Sequence, residues 1–174
     1  MRRRLPFSTD HLRPILSLAR TVVFSLPRNP LALIRAYRIA DNSGLFDQTY
    51  YQTQLTKPLP NGQDPLVHYL TTDAETRADP HPLFDQAFYC AHGLIDRVKN
   101  ETPLTHFLRI GCHKNIDPHP LFDSSFYLDK YPDVAEQGIP PAIHFVRFGL
   151  GEGRKCHPLF DADYYTKLNP DAVA

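Results

Sequence analysis

The chain has 174 residues, enough for one domain or a short repeat array. Its 19 Lys and Arg balance 19 Asp and Glu, but residues 1–40 hold eight arginines (Arg2, Arg3, Arg4, Arg13, Arg20, Arg28, Arg35, Arg38) and one acid, Asp10, leaving a body of net −7 behind an arm of net +7. An acidic body repels phosphates and argues against nucleic acid as a partner.

The three cysteines, Cys90, Cys112 and Cys156, are odd in number and lack a CxxC spacing. That argues against a disulfide framework and fits a reducing compartment, the cytoplasm. Pro6, Asp10, His11, Arg13 and Pro14 interrupt any signal-peptide core. The apolar run at 15–26 is too short to span a bilayer and contains Arg20.

In the arm, Leu12, Ile15, Leu16, Ala19, Val22, Val23 and Leu26 recur at steps of three or four, which predicts a helix that Pro27 ends. Asn29-Pro30 predicts a second helix through Leu31, Leu33, Ile34, Tyr37 and Arg38, closed by Asn42, Ser43 and Gly44. Two fates follow. The arm caps the open end of a repeat array, which needs cover, or residues 1–28 lie on an anionic membrane surface at the inner membrane. The cap is the favoured expectation.

From residue 44 the chain repeats. His81-Pro82-Leu83-Phe84-Asp85 recurs as His119-Pro120-Leu121-Phe122-Asp123 and His157-Pro158-Leu159-Phe160-Asp161, after a shorter Gly44-Leu45-Phe46-Asp47, always 38 residues apart. Asp47, Asp85, Asp123 and Asp161 are placed to cap helices. In copy three, Ser124 to Tyr131 forms a helix that Pro132-Asp133 stops; a turn at Gln137-Gly138 leads to Pro140-Pro141 and a second helix. Its stripe Ala142, Phe145, Val146 and Gly149 is matched by Leu104, Phe107, Leu108 and Gly111 in copy two, and by Leu66, Tyr69, Leu70 and Asp73 in copy one. Gly93-Leu94-Ile95-Asp96 departs from this pattern. Leu159 and Phe160, with Phe46, Phe84 and Phe122 at the equivalent aromatic position, are expected to anchor one unit onto the next.

The expected fold is all-α: a basic two-helix cap (1–44), helix-pair units at 45–82, 83–120 and 121–158, and a half unit at 159–174, stacked as a small α-solenoid-like array. His68, His106 and His144 recur in register, so they form a ladder and do not converge on a metal; each ring is expected to pack with one nitrogen on a linker carbonyl, and His81, His119 and His157 likewise. Cys112-His113 and Cys156-His157 look like metal pairs but occupy different repeat positions. Asp161-Ala162-Asp163 falls at a helix start, where capping explains Asp161. No catalytic, cofactor-binding or metal-binding set is assigned.

These residues resemble the repeat region that accompanies many bacterial glycosyltransferases, including rhamnan-synthesis-type proteins of surface polysaccharide assembly. The resemblance spans about residues 30–174. It rests on Ser43-Gly44-Leu45-Phe46-Asp47 followed by Tyr50-Tyr51, on Tyr131-Pro132-Asp133-Val134 and Asn169-Pro170-Asp171, on Pro65-Leu66-Val67-His68-Tyr69-Leu70, and on Gly149-Leu150-Gly151-Glu152-Gly153-Arg154. It implies a non-catalytic interaction or spacer module whose partner is a protein of that machinery, since no Rossmann-like nucleotide-sugar unit can be drawn here. A general protein-binding scaffold and a peripheral membrane adaptor are the competing expectations.

Overall fold

The computed structural model describes residues 30–92, 101–159 and 167. The expected helix at 12–26, the departure at 93–96 and the residues Phe160 and Asp161 lie outside the described residues. Among the described residues the fold is all-α, with no strand; His81 and Phe84 form an isolated bridge. No described helix is long and apolar enough to cross a membrane.

The first helix, α1 (Pro30–Asp41), begins on proline, whose missing N–H costs nothing in a first turn. It closes as expected: the Asn42 side chain and backbone N–H both donate to the Arg38 carbonyl, and Gly44 takes a left-handed φ of 79°. Its position differs from a cap over one end. It packs on both α3 (Pro65–Thr71) and α5 (Pro103–Arg109). At its exit, a side chain on Gly44 would meet Val146 Cγ1 at 3.3 Å. One helix therefore lies beside the second helices of copies one and two and ends against copy three. Its inner residues Tyr37 and Ala40 are buried, and the Tyr37 hydroxyl donates to Asp64 Oδ2 at 3.0 Å.

Each copy then opens with a short helix: α2 (Gln48–Thr53), α4 (Gln86–His92) and α6 (Ser124–Lys130). The carboxylates of Asp47, Asp85 and Asp123 accept from the N–H of Tyr50, Phe88 and Phe126 at 2.9, 2.8 and 2.8 Å. These are N-caps, as the sequence requires. A second carboxylate joins two of them: Asp79 accepts from the Gln86 N–H and Asp117 from the Ser124 N–H. The second helix of each copy, α3, α5 or α8 (Pro141–His144), starts on proline and packs on the first. Residues Phe145–Gly149 continue α8 as a π-turn.

Copy three is not a helix pair. Pro132 ends α6 but opens a further helix, α7 (Pro132–Gln137), because proline disrupts only the turn before it and suits a first helical position. Gly138, at φ 65°, closes α7. A 3₁₀ turn, Gly111–Lys114, follows α5 and touches α8.

The core is aromatic and recurs in register. Phe46, Tyr51 and Tyr69 meet in copy one, Phe84, Tyr89 and Phe107 in copy two, Phe122, Tyr127 and Phe145 in copy three. The tyrosine meets the second-helix ring edge-on each time, at 88°, 88° and 87°, the arrangement that ring quadrupoles favour. Phe84 and Phe122 are buried; Phe46 is half-buried. The ring-to-ring contacts of Phe46, Phe84 and Phe122 lie inside their own copy.

Backbone closes each copy on itself along a recurring seam. The N–H of Asp47 donates to the Pro80 carbonyl at 2.8 Å, that of Asp85 to Pro118 at 3.0 Å, and that of Asp123 to Cys156 at 2.9 Å. Leu45 and Leu83 are buried beside this ladder, whereas Leu121 and Leu159 are 42 % and 81 % exposed, so Leu159 does not anchor a neighbour among the described residues.

Phe122 and Asp123 are neighbours with different work. Removing the ring opens a cavity in the aromatic cluster, and Phe122→Ala should cost about 3–5 kcal/mol. Asp123→Ala loses one cap, about 0.5–2 kcal/mol. Urea titration should return that order; a Phe122→Ala loss no larger than the cap loss contradicts the packing described.

Candidate functional site

The residues with chemistry in reach are the two histidine ladders and the tyrosines. His68, His106 and His144 stand on the second helices, and each Nδ1 shares a hydrogen bond with a tyrosine hydroxyl on the first helix of the same copy. Tyr51–His68 is 2.7 Å, Tyr89–His106 2.8 Å and Tyr127–His144 2.9 Å. The expected linker-carbonyl partner is replaced by a phenol. The physical reason is burial: Tyr51, Tyr89 and Tyr127 have no exposed surface, and a dry hydroxyl needs a partner. Burial pushes all three phenols up from their ordinary range, and pushes His68 and His144 down. A phenol held protonated against a neutral imidazole is a structural pair, poorly suited to general acid–base work near neutral pH.

Two glycines make room for these hydroxyls. A Cβ on Gly111 would lie 2.2 Å from the Tyr89 hydroxyl, and one on Gly149 2.3 Å from that of Tyr127. The third register position is Asp73, which is exposed; there α3 ends at Thr71, before the clash arises. Copy one also replaces the second-helix phenylalanine by Tyr69, whose hydroxyl donates to Gln86 Oε1 at 3.0 Å and so ties α3 to α4 of the next copy.

The second ladder differs again from its expectation. The ring Nδ1 of His81, His119 and His157 accepts from the backbone N–H two residues on, at Leu83, Leu121 and Leu159, with distances of 3.0, 3.0 and 3.1 Å. The imidazole thus closes a turn as an Asn or Asp side chain does in an Asx turn. Accepting from an N–H requires a neutral nitrogen. Burial pushes His81 down to about 4, against a smaller opposing effect of Asp47, and lowers His119 too.

No three His, Cys, Asp or Glu side chains gather in metal-binding geometry among the described residues. Cys90, Cys112 and Cys156 are free thiols. Burial raises Cys112 to about 11 and Cys156 to about 12, far from nucleophilic thiolates. Cys112 lines a cleft of about 240 Å³ with His113, Leu128, Ile139 and Pro140, but its thiol is already engaged with the Leu108 carbonyl. Arg154 forks onto Asp133 at 3.0 and 2.9 Å and lies 4.8 Å from the Tyr131 ring, pinning α7 to the last linker.

The structure therefore places Phe46, Phe84, Phe122, His68, His106 and His144 in three separate clusters, with Asp47, Asp85 and Asp123 at the helix starts. It brings none of these sets together across copies into one pocket. Sequence reasoning did not assign the Tyr–His pairing, the room that Gly111 and Gly149 make for the hydroxyls, or the roles of Asp79, Asp117 and Arg154. A usable signal existed for the first: Tyr and His stand 17 residues apart in all three copies. Compared with known proteins, the chain matches no family model, no curated protein and no solved structure.

His81 and His119, both lowered by burial, set a pH dependence. A folded-state pKa below the unfolded value means that the unfolded chain takes up protons first, so stability is present above about pH 6.5 and is lost as pH falls. For His81, whose folded value is about 4, the loss should reach about 3 kcal/mol by that pH. His81→Asn keeps an acceptor for the Leu83 N–H but cannot titrate. Urea midpoints measured from pH 7 to 4.5 should fall less steeply in this variant than in the parent; equal slopes would show that His81 does not titrate with unfolding.

Proposed function

We propose that the chain is a short α-solenoid-like array of 38-residue units, bounded at 45–82, 83–120, 121–158 and 159–174 behind the arm 1–44. In this reading it is a non-catalytic interaction and spacer module of a bacterial glycosyltransferase system that builds surface polysaccharide. The observation that carries the reading is the self-satisfied core. In each register the tyrosine, the histidine and the aromatic rings spend their polar and apolar capacity on one another, which leaves these groups engaged within their own copy and apart from those of the next. A module of that kind offers surface and spacing, not turnover. The bonds of Asp79 to the Gln86 N–H and of Asp117 to the Ser124 N–H, each crossing from one unit to the next at the same register, support a regular array. The glycan association rests on the motif resemblance, and it makes the partner a protein of the glycan-assembly machinery.

Two measurements test it. Tagged full-length chain, used for affinity capture from a polysaccharide-producing bacterium, should enrich a glycosyltransferase or another glycan-assembly component. Highly purified protein given a panel of nucleotide sugars should release no nucleoside diphosphate above background. Sugar turnover would overturn the non-catalytic reading, and enrichment of partners without any glycan role would favour a general scaffold.

A further inference from the structure

We propose that the outward face of α1, together with Arg147, is a docking surface for an anionic membrane. Opposite its buried residues Tyr37 and Ala40, α1 presents Leu31, Arg35, Arg38 and Ile39, which lie on one side at helical spacing. Leu31 is 68 % and Ile39 40 % exposed, and both arginines are exposed. A helix already packed on α3 and α5 has no internal need for two large apolar residues on its outer side.

The charge pattern identifies the occupant. Arg147, from the π-turn of copy three, comes beside the exit of α1, where its Cγ would lie 3.6 Å from a Cβ on Gly44. Ion pairs among the described residues engage Arg109 and Arg154, and none engages Arg35, Arg38 or Arg147. The one acid of α1, Asp41, acts on Tyr37 and so sits toward the inner flank. Among the described residues, Arg35 and Arg38 thus share one face with two exposed aliphatic side chains, the exposed Arg147 stands at the exit of that helix, and none of the three has an ion pair there, on a chain whose charge outside residues 1–40 is acidic. Phosphate alone would need only the arginines. Aliphatic side chains flanked by arginine fit a lipid interface, where the apolar groups enter the acyl boundary and the guanidinium groups stay with the headgroups. This surface is independent of the glycan reading, and either can fail alone.

The chain contains no tryptophan, so one placed at a chosen site reports only from there. Leu31→Trp and Ile39→Trp in the full chain should each give blue-shifted emission with vesicles of phosphatidylcholine and phosphatidylglycerol, quenched by brominated lipid and reversed by salt. Phosphatidylcholine alone should give no shift, and Leu121→Trp, away from this helix, should stay solvent-like throughout. Replacing Arg35, Arg38 and Arg147 by Gln should weaken partition by roughly fivefold for each charge removed. The proposal is overturned if vesicles bind the protein while tryptophans at 31 and 39 remain solvent-like, since contact then lies elsewhere in the chain. It is equally overturned if neutral vesicles give the same shift, or if duplex DNA gives the shift and anionic vesicles do not.

Discussion

A buried phenol hydroxyl in an aromatic cluster is the constraint on which the rest of each copy depends. Left dry and unpaired, such a group costs about 1–3 kcal/mol. Tyr51, Tyr89 and Tyr127 avoid that cost through His68, His106 and His144. The pairing fixes more than one bond. It sets the separation of first and second helices, because the hydroxyl must reach the ring while the tyrosine face receives the next aromatic edge-on. It also decides what can stand beyond the histidine. Where the helical path runs on past it, only glycine fits, at Gly111 and Gly149. Where Asp73 takes that position, α3 stops at Thr71, and the Thr72 hydroxyl turns back to the His68 carbonyl at 2.6 Å.

Coupling between copies is of a different kind. Side chains make it: the Asp79 and Asp117 carboxylates accept from the Gln86 and Ser124 N–H of the following copy, and the Tyr69 hydroxyl donates to Gln86, whereas the backbone bonds of the Asp47, Asp85 and Asp123 N–H form a seam that closes each copy on itself. Such short helices are marginal alone, so this seam, with α1 laid beside several second helices, supplies what helix propensity cannot. Raised phenols and thiols and lowered imidazoles tell the same story. Burial thus keeps these phenols, thiols and imidazoles neutral near pH 7.

Much of this was legible in the sequence because it depends on local chemistry at fixed spacing. The 38-residue period, the caps at Asp47, Asp85 and Asp123, the helix starts at Pro30 and Pro141, and the turn at Gly44 all follow from residue type and neighbours. What was not legible depends on direction in space. Periodicity places His144 and Tyr127 on inner faces without saying that one will satisfy the other. Pro132 is read as a stop because proline disrupts the turn before it, yet the same residue starts α7. The placement of α1 against α3 and α5 arises from tertiary packing, and apolar spacing along one helix cannot choose between an end and a side. The linker histidines were given the wrong partner for a simpler reason: a neutral imidazole accepts as readily as it donates, and only the turn geometry selects the Leu83, Leu121 and Leu159 N–H groups.

The central claim is that each copy is satisfied separately and closed on itself by a backbone bond from the N–H of Asp47, Asp85 or Asp123 to a carbonyl at the end of the same copy. The N–H of a helix-capping residue has no partner within its own helix, so protection there reports the seam alone. Amide hydrogen exchange of the native protein near neutral pH decides it. The account predicts that these three amides exchange as slowly as those inside α2, α4 and α6, at all three positions. Exchange at the rate of an exposed loop at Asp47, Asp85 and Asp123, while the helices remain protected, would contradict it.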